Sequence, residues 1–76
     1  MNDRRRKRLN EIMDHIEVHK VEVEDLLEDE LYEERIIPEE LHDSTIYTRV
    51  HKTVCDLQEA LKALNALLDA LAEATA

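Results

Sequence analysis

The sequence predicts an all-α chain folded as an antiparallel two-helix hairpin, and three observations lead there. From Tyr47 onward, Val50, Val54, Leu57, Leu61, Leu64, Leu68, Leu71 and Thr75 alternate steps of three and four without a slip. That is a heptad stripe, and it needs another helix to lie against. The composition, with no glycine, one proline, two aromatic residues, 43% apolar and 38% charged, suits long helices better than a sheet with several turns. The single proline, Pro38, stands near the middle of the chain, where a hairpin must turn.

The first helix is expected over about residues 3–36. Leu9, Ile12, Met13, Ile16, Val23, Leu26 and Leu27 fall on one face, with His19 and Lys20 in the gap where an apolar pair would stand. Val21-Glu22-Val23-Glu24 alternates like a strand, but it is only four residues with no turn signal on either side, so the longer period wins. At 1.5 Å per residue such a helix is on the order of 50 Å long.

A bend follows over 37–44. Ile37 precedes proline and is pushed out of helical geometry, Pro38-Glu39-Glu40-Leu41 reads as one helical turn, and Asp43 and Ser44 are both competent caps for the next helix. The second helix then covers about 45–74. A connection of that length joins antiparallel neighbours.

The whole chain, 1–76, reads as a single domain. At 76 residues it buries little surface on its own, so self-association is the starting expectation. Beside the strict stripe Ala60, Leu67 and Ala74 recur every seventh residue, and such a wide stripe touches more than one helix. Two hairpins packed as a homodimeric four-helix bundle would cover it. The expected dimer or hairpin core is Leu9, Ile12, Ile16, Val23, Leu26, Val54, Leu57, Leu61, Leu64, Leu68 and Leu71.

Charge is concentrated in blocks. Residues 1–8 hold five bases against Asp3, residues 9–43 hold fourteen acids against Lys20 and Arg35, and the remainder is nearly neutral, for a net −9. Folding back places the Arg4 to Arg8 cluster near the carboxyl end of the second helix, where cations favour the helix dipole. The acids include Glu22, Asp25, Glu28, Asp29, Glu33 and Glu34, the candidate partner-binding face. Such a run is commonly a solvated surface. It also resembles the phosphate array of a duplex, closely spaced negative charge on a rod, which would repel nucleic acid while fitting a channel built for it.

Metal chemistry has one opening. His15 and His19 stand at i and i+4 on one helix, and His51 and Cys55 repeat that spacing on the other, a pairing able to chelate zinc. In a straight hairpin the two pairs lie at different heights, so four ligands would have to come from two chains. The plainer expectation is no cofactor, with His19 filling a polar gap in the seam and the other three on the surface.

Catalytic patterns are incomplete. Glu39 and His42 have Glu-x-x-His spacing but sit at the bend without a second copy, Glu30-x-x-Glu33 has no answering acid pair, and Cys55 has only His51 nearby as a base. The sequence argues against an enzyme. One cysteine cannot form an internal disulfide, and no apolar run approaches membrane-spanning length. Leu9-Asn10-Glu11-Ile12-Met13-Asp14, behind the basic residues, is too polar for a signal-peptide core. A soluble, unprocessed, cytoplasmic protein is expected.

The basic opening Arg5-Arg6-Lys7-Arg8-Leu9-Asn10-Glu11-Ile12, the acid-rich Glu28 to Glu34 with Tyr32, the bend Ile37-Pro38-Glu39-Glu40-Leu41-His42-Asp43-Ser44, and Asp56-Leu57-Gln58-Glu59-Ala60 together resemble small acidic accessory proteins of bacteriophages and integrated mobile elements. That group has no agreed activity, and the resemblance carries over no functional residues. It implies a setting in the bacterial host cytoplasm, where small acidic proteins serve as inhibitors of host defence. The expected function is a non-enzymatic interaction module that binds itself and a larger, basic host protein. The alternative is a structural or regulatory homodimerisation element, stabilised or not by zinc.

Overall fold

In the computed structural model, which describes residues 1–76, α1 spans Asp3–Ile36, a single 3-10 turn spans Glu39–Leu41, and α2 spans Thr45–Thr75. There are no strands, and Val21-Glu22-Val23-Glu24 is helical, because a four-residue alternation cannot outweigh the roughly eight helical turns around it. The ends have local causes. Asn2 Oδ1 accepts from the Arg5 amide at 2.8 Å and starts α1. Ile37 leaves helical geometry at φ −73°, ψ 122°, as a residue before proline must. Of the two candidate caps Ser44 takes the role, its Oγ accepting from the Tyr47 amide at 3.2 Å. The second helix runs one residue beyond its expected end.

The two helices fold against each other into a rod 59 × 16 × 13 Å with a radius of gyration of 17.4 Å. A compact chain of this length would have a radius of about 11 Å, so the shape is set by one long two-helix seam. On α1 the residues drawn out of solvent run Arg6, Leu9, Met13, Ile16, Lys20, Val23, Leu27, Glu30 and Glu34, with Leu31 half-covered beside the series. On α2 they run Tyr47, Val50, Val54, Leu57, Leu61, Leu64, Leu68, Leu71 and Thr75. Both series alternate threes and fours. With Arg6 and Tyr47 as a positions and Leu9 and Val50 as d positions, the hairpin is a two-stranded antiparallel coiled coil.

Only Val54 and Leu68 are buried, and both keep a trace of exposure. Nine of the eleven expected core residues lie in the seam. Ile12 and Leu26 do not: they are 37% and 57% exposed, because the stripe passes through their neighbours Met13 and Leu27. One helix face pressed on one partner helix accommodates a and d and leaves the residue 100° behind in water. Lys20 occupies the seam at the gap in the apolar pattern, whereas the His19 side chain is 74% exposed and turned to Glu22, with Nδ1 2.9 Å from Oε1.

At the open end a single guanidinium ties the termini together. Arg6 Nε donates to the Thr75 carbonyl at 2.9 Å, NH1 to Asp3 at 2.9 Å and NH2 to the Met1 carbonyl at 3.1 Å. The expected placement of the basic cluster beside the carboxyl end of α2 thus takes the form of one bond to a carbonyl that the last helical turn leaves without a partner.

Two outcomes follow for stability. Leu68→Ala should cost about 2 to 5 kcal/mol in urea unfolding, as a leucine removed from a closed layer does, while Val18→Ala on the solvent side should stay within about 0.5 kcal/mol. Arg6→Ala should cost about 0.5 to 1 kcal/mol and speed amide exchange over the last turn of α2, leaving exchange near the bend unchanged.

Candidate functional site

Polar and aromatic side chains converge where α1 enters the bend and α2 leaves it. His42, Tyr47 and His51 form a column, with ring centroids 4.1 Å and 5.7 Å apart and each successive pair 14° from parallel. Tyr47 and His51 meet because residues four apart share a helix face. His42 reaches the same column from across the Ser44 cap, and its Nε2 donates to the Ile37 carbonyl at 3.3 Å. Glu34, Arg35, Ile37, Glu39, His42 and Tyr47 line an open depression here.

Glu34 crosses from α1 to meet this column. Its Oε2 accepts from His51 Nδ1 at 3.0 Å, and the Cys55 Sγ lies 3.7 Å from His51 Nε2. A carboxylate only accepts, so Nδ1 carries the hydrogen and Nε2 of the neutral ring is left as the acceptor facing the thiol. The order carboxylate, imidazole, thiol is the order in which a nucleophile is activated. Here it lies on the convex outside of a helix whose amides are committed to carbonyls four residues back, so no paired N–H groups stand ready for an oxyanion.

The candidate zinc ligands are not brought together. Counting from the seam, His51 is an e residue and His19 a g residue. In an antiparallel pair the two e columns share one side of the hairpin and the two g columns the other. The Glu34–His51 bond sits on the e side, so His51 and Cys55 are turned away from His15 and His19. No group of three or more His, Cys, Asp or Glu side chains is placed to hold one metal ion. The expected polar-gap role of His19 belongs instead to Lys20.

The acidic residues are divided by the fold. Glu22, Asp25, Glu28, Asp29 and Glu33 are exposed, as the sequence suggests. Glu34 belongs to the seam, its side chain 23% exposed and bonded to His51, so it is not a free member of the band. The five exposed acids, at c, f, b, c and g positions, spread over the outward half of α1. Farther along α2, Lys52 Nζ meets Asp56 at 2.6 Å; that hydrogen bond, then the carboxylate's charge, raise the lysine above its ordinary value.

No protein-family model matches the chain, and no curated protein and no solved structure matches it. The site therefore has to be read from its own geometry. No helix is long and apolar enough to cross a membrane.

Separation of the ligand pairs gives a direct expectation. Incubation with a chelator should leave the melting temperature and the solution mass unchanged. Stoichiometric zinc in protein purified without a histidine tag, lost in both His19→Ala and Cys55→Ser, would reverse it and require a site shared between chains.

Proposed function

We propose that this chain is a non-enzymatic interaction module whose acidic half engages a larger basic protein, one that handles nucleic acid or serves defence in a bacterial cell, and inhibits it by occupying its nucleic-acid channel. The observation that carries the reading is electrical. Residues 22–59, the half of the rod nearer the bend, hold thirteen acids and three bases, net −10, whereas the rest of the chain holds six acids and seven bases, net +1.

The density matters as much as the sum. Eight acids fall between Glu22 and Glu34, a stretch of about 18 Å by helical rise, or roughly one charge per 2 Å. Duplex DNA carries about one per 1.7 Å. Because the exposed acids spread over the outward half of α1, a cleft closing on that side of the rod meets negative charge across its width. A field of that kind speeds encounter with a basic groove and repels nucleic acid itself. Each exposed carboxylate adds little alone, so the array is the functional unit.

A second reading, a homodimerisation element without inhibitory role, is favoured by a separate feature, the exposed Ile12, Leu26, Ile46 and Leu67. This reading rests on the exposed apolar g residues and not on the charge array.

The test removes charge away from the seam and from those apolar residues. Asp25→Asn, Glu28→Gln, Glu39→Gln and Glu40→Gln together should leave helicity intact. A partner captured from bacterial lysate by the parent protein should be released by about 0.5 M salt and by duplex DNA, and the quadruple variant should capture at least tenfold less of it. Equal capture by parent and variant at every salt concentration would discard the mimicry reading and leave the band a solubilising surface.

A further inference from the structure

Exposed apolar side chains on the hairpin body lie in two places. Val18, Val21, Tyr32 and Ile36 stand on the outward b, f and c positions of α1, whereas Ile46, Leu26, Leu67 and Ile12, 69%, 57%, 44% and 37% exposed, occupy g positions of both helices, which in an antiparallel pair lie on one side. The e columns on the opposite side carry Asn10, Glu17, Glu24 and Leu31 on α1 with His51, Gln58, Asn65 and Ala72 on α2. Of the two sides, the g side thus exposes the more apolar surface, and nothing in the hairpin covers it.

The order of residues along that side says what covers it. The g column of α1 reads Arg5, Ile12, His19, Leu26, Glu33. Turned end for end about His19, it matches itself: Arg5 falls on Glu33 of a second copy, Ile12 on Leu26, and His19 on His19. The adjoining c column reads Arg8, His15, Glu22, Asp29, and its reversal places Arg8 on Asp29 and His15 on Glu22. On α2 the g column reads Ile46, Thr53, Ala60, Leu67, Ala74, and reversal about Ala60 sets Ile46 against Ala74 and Leu67 against Thr53, large against small. The two centres lie at neighbouring heights: the Arg6–Thr75 bond puts residue 19 level with residue 62 and the Glu34–His51 bond puts it level with residue 66, so Ala60 lies about 3 to 9 Å along the rod from His19.

We propose that this side of the hairpin is a homodimer interface in which two copies pack face to face with their bends at opposite ends, about a two-fold axis beside His19 and Ala60. The proposal deepens the interaction-module reading by naming the self-binding surface and its orientation. Charge selects the orientation. Bends at opposite ends lay the −10 half of each rod along the +1 half of the other, whereas bends together would lay −10 on −10 and set Glu33 against the apolar Ile46. A two-fold contact must be self-complementary, and these columns are.

Site-directed cross-linking tests it in solution. In a Cys55→Ser background, which removes the only native thiol, His19→Cys should form a disulfide-linked dimer on oxidation with diamide at low micromolar protein. Val18→Cys, on the outer side of α1, should link at least tenfold less. Linkage of His19→Cys no better than Val18→Cys, or linkage to an Ala60→Cys chain in preference to itself, would overturn the arrangement, the second by showing the bends together. Charge exchange gives a second readout that leaves the centre of the interface untouched: Glu33→Arg should weaken self-association at least tenfold in sedimentation equilibrium, and adding Arg5→Glu should restore it. A parent protein that sediments as a monomer at every concentration, or a double variant no tighter than the single one, would also overturn it. None of these measurements contains a basic target, so failure here leaves the charge-array test standing, and failure there leaves the dimer standing.

Discussion

Everything in this molecule depends on the register of one seam, in which a and d residues of α1 meet a and d residues of α2 along almost the whole chain. The seam buries only two side chains, Val54 and Leu68, yet it determines the height and side of every other residue. Glu34 reaches His51 because the register brings an a residue of one helix beside an e residue of the other. Arg6 reaches the Thr75 carbonyl because the same register brings the two termini level. Slip the helices by one heptad and both contacts are lost while the apolar layers could still be refilled. The polar contacts at the two ends therefore add specificity to a seam whose apolar middle supplies most of the stability.

Polar interruptions of the seam fit the same picture. Arg6, Lys20, Glu30 and Glu34 occupy positions that a stable coiled coil would fill with leucine or isoleucine. Long charged side chains lay their methylene stems along the neighbouring helix and keep their heads wet. They cost stability relative to leucine and restrict the number of registers in which the hairpin can close. A thin rod built this way buries little per residue, which is the physical reason that its remaining apolar side has consequences.

The charge distribution and the g-side apolar residues are arranged on different geometric principles, and the two proposed interactions share only Glu22, Asp29 and Glu33. Acids gather toward the bend, over the outward half of α1. The g-side apolar residues run from end to end of the hairpin. In the proposed antiparallel dimer each bend would project from an opposite end with its outer acids free, presenting two acidic tips.

Most of the fold was legible in the sequence. The heptad stripe of α2, the pre-proline stop at Ile37 and the cap at Ser44 are local or periodic features, and periodicity along one chain is what a sequence displays directly. The side of α1 was less so: Ile12 and Leu26 look like seam residues beside Met13 and Leu27, and only the position of the partner helix decides which member of each pair is covered. The candidate zinc ligands show the same division. Their i, i+4 spacings are visible in the chain, but that one pair faces the g side and the other the e side follows from the seam. The Glu34–His51–Cys55 line and the stack of His42 on Tyr47 join residues across the bend, where no period carries information. Sequence alone thus determined two long helices, their ends and their unequal charge. Tertiary structure decided which residues those helices place side by side, because distance across a hairpin depends on a register that neither helix contains by itself.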